Sequence, residues 1–277
     1  MSKIYNRHPK VLFTAAFLLL ATGYSVNAKT ILAPSAEYPY IMLAVIAAVA
    51  DDTVMVLPGI YNEDIVLGNG IKLVSQVRYG AVLDGNKRKN VVTLNGSKCV
   101  LSGFEIRNGI FGVFTKGVGT VIEQCKISKN RESGILCIGN LPKIHNNIIA
   151  FNRGSGIKGC DLRASAFPTI SFNTIVYNRN HGISIGGTFN IGIEKNILAN
   201  NKRYGIKIMP ENSNLTIESN CFFKNGITVN RNYMARTNES YDPCFRNARK
   251  LDFTPSAASN NMQQSYSHEI IGAQLYE

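Results

Sequence analysis

Apolar and polar positions in this chain come in short pieces, and between Ile144 and Ile208 the pieces repeat. Written from the leading apolar residue, the copies run Ile144-His-Asn-Asn147-Ile-Ile-Ala-Phe-Asn152-Arg-Gly-Ser-Gly156-Ile157, then Ile170 to Ile183, then Ile193 to Ile206. All three keep the frame I-x-x-N-x-(I/L)-x-x-N-x-x-x-G-I. The frame continues upstream from Ile122 through Asn130, Gly134 and Ile135, with Cys125 in the first Asn slot. Downstream it fades through Ile217, Asn220, Asn225, Gly226 and Ile227. The leading isoleucines lie 22, 26, 23 and 24 residues apart, so insertions fall between frames. A period of this length predicts a solenoid.

The filling of the frame selects the kind of solenoid. Helical repeats need apolar residues at 3.6 spacing, whereas here β-branched residues sit in runs of three to five bounded by Asn and Gly, which predicts short strands and turns. Leucine-rich repeats need a Leu-x-x-Leu-x-Leu frame, which is missing. Asn and Gly at fixed places predict bends, because both tolerate positive φ and Asn also bonds its own backbone. Stacked coils then place Asn147, Asn173, Asn196 and Asn220 in one column. Asn130, Asn152, Asn178, Asn201 and Asn225 fall in a second, and such amides pair rung to rung.

On these residues the sequence resembles the right-handed parallel β-helix family of pectin-lyase-like proteins, whose short repeats read N-x-I-x-x-N-x-x-x-G-I. The resemblance covers about residues 53–275. It implies an all-β, right-handed, single-stranded parallel β-helix with an N-terminal capping helix and a C-terminal cap. It is unspecific for activity, because the family holds lyases, esterases, epimerases, hydrolases and binding proteins. Thr53-Val-Met-Val-Leu-Pro-Gly-Ile-Tyr61-Asn-Glu63 resembles the first-coil pattern D-x-V-x-V-x-P-G-x-Y-x-E, which implies structural roles for Tyr61 and Glu63. Tyr241-Asp-Pro-Cys-Phe245, Leu251-Asp-Phe253 and Ile271-Gly-Ala273 resemble the family's closing segment, which implies a cap, with a degenerate stretch at Ser256–Ser259.

Taken in order, residues 1–28 read as a signal peptide: Lys3, Arg7 and Lys10, an apolar run from Val11 to Thr22 that is short for a bilayer, and cleavage after Ala28. An uncleaved membrane anchor is the alternative. Residues 29–277 then form one domain with coils over 53–230 and a cap over 241–277, in a secreted or periplasmic setting, without a transmembrane span once the signal is cleaved. From Tyr38 to Ala50, Ile41, Ala44, Val45, Ala48 and Val49 make an apolar stripe at helical spacing, fit to plug the end of the core. Cys125 and Cys137 fall in repeat columns and read as buried small residues. Cys221 with Cys244 is a candidate staple between the last coil and the cap.

Charge turns the reading toward partners. The chain has 30 Lys and Arg against 18 Asp and Glu, a formal +12. Cleavage removes three cations and no acid, leaving a basic chain that suits an acidic polysaccharide and attracts stray nucleic acid without a specific motif for it. The cations have a pattern. Arg131, Arg153, Arg179 and Lys202 each follow the second Asn, so four like charges stack at one turn and call for a polyanion laid along the helix axis. Lys87 and Lys89 sit in a turn of another coil. Two residues after the column stand Ser133, Ser155, His181 and Tyr204. His181 and Tyr204 as rung neighbours beside Arg179 supply an imidazole, a phenol and a guanidinium, the groups needed to abstract a proton beside a carboxylate and protonate a leaving oxygen. Asp clusters and C-x-x-C spacing are missing, so neither a metal nor another cofactor is expected. Glu123, Glu194 and Glu218 share one strand position, a spacing that also fits paired carboxylates in a retaining glycosidase. Two functions follow. One is an exported protein that binds an acidic polysaccharide and, if it acts on it, is a metal-independent uronate lyase or epimerase. The other is a non-enzymatic scaffold or adhesin-like solenoid.

Overall fold

A computed structural model describes residues 27–87, 90–163, 168–188, 190–209, 214–230, 237–256 and 271–273. Nearly all of the segment expected to be a signal peptide and about half of the closing segment lie outside them. Among the described residues, three parallel sheets run the length of the molecule. The first has nine strands, from Thr30–Ala33 to Asn214–Glu218. The second has eight, from Gly59–Tyr61 to Cys221–Phe223, and the third eight, from Ile65–Leu67 to Ile227–Val229. Each strand pairs with its equivalent one coil away, so the chain winds as a parallel β-helix.

The register shows why the sequence folds this way. Ile122, Ile144, Ile170, Ile193 and Ile217 are successive partners in the first sheet. Ile135, Ile157, Ile183 and Ile206 are partners in the third. All nine are buried in one continuous core. Stacking identical β-branched side chains lets each coil cover the apolar face of the next, which no coil could bury alone.

Two features of the turns differ from the expectation that Asn and Gly supply positive φ. In both turns the left-handed residue is the one before the Asn slot, which Cys125 fills after Gln124. In the first turn these are Gln124, Asn146, Phe172, Lys195 and Ser219, and in the second Lys129, Phe151, Tyr177, Asn200 and Lys224, with φ between 45° and 58°. The Asn itself turns inward and pairs. Asn147 Nδ2 donates to Asn173 Oδ1 at 3.0 Å, Asn173 to Asn196 at 3.0 Å, Asn196 to Asn220 at 2.9 Å, and Asn220 to Asn238 at 3.0 Å. The second column joins Asn130, Asn152, Asn178, Asn201 and Asn225 at 2.9–3.0 Å. The repeat glycine is required for room rather than for φ. A Cβ on Gly134, Gly156 or Gly182 would lie 2.6–2.8 Å from the carbonyl oxygen of the equivalent glycine one coil on.

At the N-terminal end, the helix Ile41–Ala47 buries Ile41, Ala44 and Val45 against the first coil. It stops short of the expected Ala50. Ala48 is extended and Val49 is exposed. Both oxygens of the Glu63 carboxylate accept the amides that start the helix, Ile41 N at 3.1 Å and Met42 N at 2.9 Å, and the Tyr61 hydroxyl donates to Leu57 O at 2.8 Å. Sheet one begins at Thr30–Ala33, ahead of the Thr53 boundary expected for the coils.

The closing segment lies along the flank of the solenoid. Strands Phe245–Asn247 and Asp252–Pro255 pair antiparallel. Phe253 and Ile271 bury against the outer face of the second sheet, made by Ile148, Ala150, Val176, Ile197, Ala199 and Cys221. Phe151 and Tyr177 stack with centroids 5.1 Å apart and edge the same patch, 6.2 Å and 6.3 Å from Phe253. The described part of the segment covers one side of the solenoid over four coils, where the strands are buried on both faces. Cys221 and Cys244 are both free thiols, so no staple joins them. Burial pushes the Cys125 thiol up to about 12.

Candidate functional site

The second turn, between sheets two and three, holds most of the sequence-derived candidates. It is longer than the first turn, with four residues between its Asn and the next strand's leading Ile. The Arg153 amide donates to Asn130 O, Arg179 to Asn152 O and Lys202 to Asn178 O, at 2.9–3.0 Å, and Arg131 to Gly109 O at 2.9 Å. Those bonds fix Arg131, Arg153, Arg179 and Lys202 at one place on four successive rungs, which in parallel sheets lie ~4.8 Å apart. All four side chains are exposed. Among the described residues, no Asp or Glu forms an ion pair with any of them. The Arg131 guanidinium donates to Lys87 O at 3.3 Å, so Lys87, in a turn of another coil, lies beside the start of this column. Lys89 lies outside the described residues.

Two residues on, the side chains turn inward. Ser133, Ser155 and His181 are buried and Tyr204 is half-buried. His181 and Tyr204 are rung neighbours with ring centroids 5.3 Å apart, tilted by 42°. The Tyr204 amide donates to His181 Nδ1 at 3.3 Å. Burial lowers the His181 pKa to about 4, helped by the positive charges of Lys207 and Arg203. His181 is therefore neutral near pH 7. With Nδ1 accepting, its proton sits on Nε2. The ring accordingly offers a donor at its remaining nitrogen.

Arg179 shares the turn with His181, but its side chain is exposed while the imidazole is inside. The cations that bear on His181 are Lys207 and Arg203. Lys207 was not among the sequence-derived candidates. Its signal was positional: it alternates with the buried Ile206 and Ile208, and so stands on the outer face of the third sheet, paired with Ser184. The Asn columns, from Asn130 and Asn147 onward, lie inside the two turns with their amides engaged. Glu194 and Glu218 are register partners on the outer face of the first sheet, with Glu123 three rungs before Glu194. No group of three or more His, Cys, Asp or Glu side chains suited to a metal occurs among the described residues. No described helix is long and apolar enough to cross a membrane.

Stacked coils, inward Asn ladders and an outward row of charge define a right-handed parallel β-helix protein. Residues 89–241 match the family described as "right handed beta helix region", and the chain belongs to that family. No curated protein is significantly similar to the chain. Among solved structures, the periplasmic alginate epimerase AlgG aligns at 14% identity over 76% of this chain and 54% of its own, with a TM-score of 0.49. A mutant of the PL6-family alginate lyase AlyGC aligns at 14% identity over 72% of this chain and 40% of its own, with a TM-score of 0.44. The A-module of the Azotobacter vinelandii mannuronan C-5 epimerase AlgE4 aligns at 14% identity over 68% of this chain and 73% of its own, with a TM-score of 0.46. The chain thus spans about half the length of the first two.

Proposed function

We propose that this protein binds an acidic polysaccharide along the second turn, in the secreted or periplasmic setting that its N-terminal segment predicts. The observation that carries the reading is the row Arg131, Arg153, Arg179 and Lys202: exposed, in register, and without a carboxylate partner among the described residues. Like charges on neighbouring rungs repel. A linear polyanion relieves that repulsion over its whole length, where a small anion would serve one rung. Binding should therefore grow with chain length and weaken with salt, since exposed charges are screened over about 10 Å at 0.1 M. The test is calorimetric titration with alginate, pectate or heparin fragments of increasing length. A short fragment binding as tightly as a long one would contradict a ladder.

A second reading, metal-independent uronate lyase or epimerase chemistry, is favoured by the juxtaposition of His181 and Tyr204 beside cations. Nδ1 of His181 accepts the Tyr204 amide; in this reading Tyr204 abstracts the proton, His181 Nε2–H donates toward the sugar oxygen and Arg179 lies over the substrate carboxylate. Elimination leaves a conjugated double bond that absorbs in the ultraviolet, and epimerisation exchanges the C5 proton with deuterium. Either signal should persist in chelator and vanish in Tyr204→Phe. Activity destroyed by chelator would overturn the metal-free mechanism, and binding without turnover on any uronate polymer would leave a lectin-like solenoid.

A further inference from the structure

The outer face of the first sheet carries chemistry that the basic turn does not use. Glu123, His145 and Ser171 occupy the same strand position on three consecutive rungs: Glu123 is the register partner of His145, and His145 of Ser171. Equivalent positions on parallel strands point to the same face, with rungs ~4.8 Å apart. A carboxylate, an imidazole and a hydroxyl therefore stand in line. Glu123 Oε2 and His145 Nε2 are 2.7 Å apart, and each side chain keeps about a quarter of its surface exposed, at 27% and 26%. Ser102, one rung before Glu123, faces the same carboxylate, and His145 above all, with Ser102, holds the Glu123 pKa below its ordinary value. Glu123 is thus an ionised, fixed partner, and it claims Nε2. The nitrogen left to take a proton is Nδ1, in a ring whose next neighbour on the row is Ser171.

We propose that Glu123, His145 and Ser171 form an acyl-transfer site, separate from the basic turn, that hydrolyses esters carried on an extended chain. Ser171 Oγ attacks the ester carbonyl and passes its proton to His145 Nδ1, while Glu123 stabilises the imidazolium. Collapse of the tetrahedral intermediate breaks the bond to the alcohol oxygen, which leaves with the proton from His145. Water then repeats the sequence on the acyl-serine, releasing the carboxylic acid and restoring the hydroxyl. Ester and water give acid and alcohol, with no other reactant. The row lies on the outer strand face, where Glu123 and His145 are half-buried and Ser171 keeps 6% of its surface exposed, and it continues through Glu194 and Glu218, so the acyl group is presented by a chain lying across the coils. Only Ser171 and its two partners are asked to do chemistry.

A fluorophosphonate probe, which bonds covalently to serines activated in this way, tests the proposal on the full chain. Peptide mass spectrometry should find the label on Ser171, and p-nitrophenyl acetate should be hydrolysed in parallel. His145→Ala should slow labelling by ~100-fold or more, the usual weight of a general base, and Glu123→Gln by about 10-fold. Arg153→Ser with Arg179→Ser should leave labelling unchanged, which separates this site from polyanion binding. Glu123→Gln is the safeguard if His145→Ala lowers stability, because it keeps the size and removes only the charge. An unlabelled Ser171, or a label indifferent to both His145→Ala and Glu123→Gln, would overturn the proposal and leave the pair as a surface ion pair.

Discussion

The two turns of each coil use one backbone device and end differently. Both place a non-glycine residue in the left-handed region and follow it with a buried Asn. In the first turn the strand resumes at once, and each Asn amide is saturated. Asn173 Nδ2 alone donates to Ile144 O, Ser171 O and Asn196 Oδ1, while its Oδ1 accepts from both the amide and the side chain of Asn147. In the second turn, Asn178 makes one donor contact fewer, and four residues follow it before the next strand's leading Ile. Those extra residues carry the Arg column outward and His181 inward. A turn with no spare residues can only hold coils together, whereas a turn with four can also present chemistry.

The largest expected effect is on the first turn. Asn173→Ala leaves several buried donors and acceptors without partners and should cost about 3–5 kcal/mol, read from denaturant unfolding. Asn178→Ala should cost less, about 2–4 kcal/mol by the same reasoning. Equal costs would mean that the two ladders do not differ. Gly182→Ala should come next, at about 2–3 kcal/mol, because its Cβ would sit 2.6 Å from Gly205 O and 2.9 Å from Asn201 Nδ2.

His181 sharpens the comparison through pH. Its folded-state pKa of about 4 lies below the ordinary 6.5. The unfolded chain therefore takes up this proton first, so the stabilising contribution is full above pH 6.5 and is lost as pH falls toward 4. The loss should be about 1–3 kcal/mol, and the fall in melting temperature across that window should flatten in His181→Asn. An unchanged slope would place the imidazole in water. Smallest of all, Arg179→Ser should change stability by less than about 0.5 kcal/mol, since an exposed charge in a turn contributes little to folding.

How much of this was legible follows from what the residues report directly. The leading isoleucines carried the fold, because a core column has to repeat the same side chain at each rung. The bend residue was not legible, since Gln124, Asn146, Phe172, Lys195 and Ser219 share a conformation and no chemistry. The place of the closing segment could have been read from Ile148-Ile-Ala150 and Thr174-Ile-Val176, which lack the alternation of a one-sided strand and so require cover on both faces. At the site, residue types and their columns were visible in the spacing. What spacing could not show was environment: that His181 is buried with Nδ1 taken, that Lys207 bears on it from the next sheet, and that His145 reaches Glu123.

The central claim is that the second turn reads a polyanion through a row of charges rather than through net charge. It is tested most directly by titrating alginate chains into the wild type and two double variants over a series of salt concentrations. One variant is Arg153→Ser with Arg179→Ser; the other is Arg249→Ser with Lys250→Ser, which removes the same charge from exposed positions on the closing segment. The turn variant should lose at least about tenfold in affinity and show a shallower salt dependence, as expected when two charge contacts to the polyanion are lost, while the closing-segment variant should stay within about twofold of wild type. Equal losses in the two variants would contradict the claim.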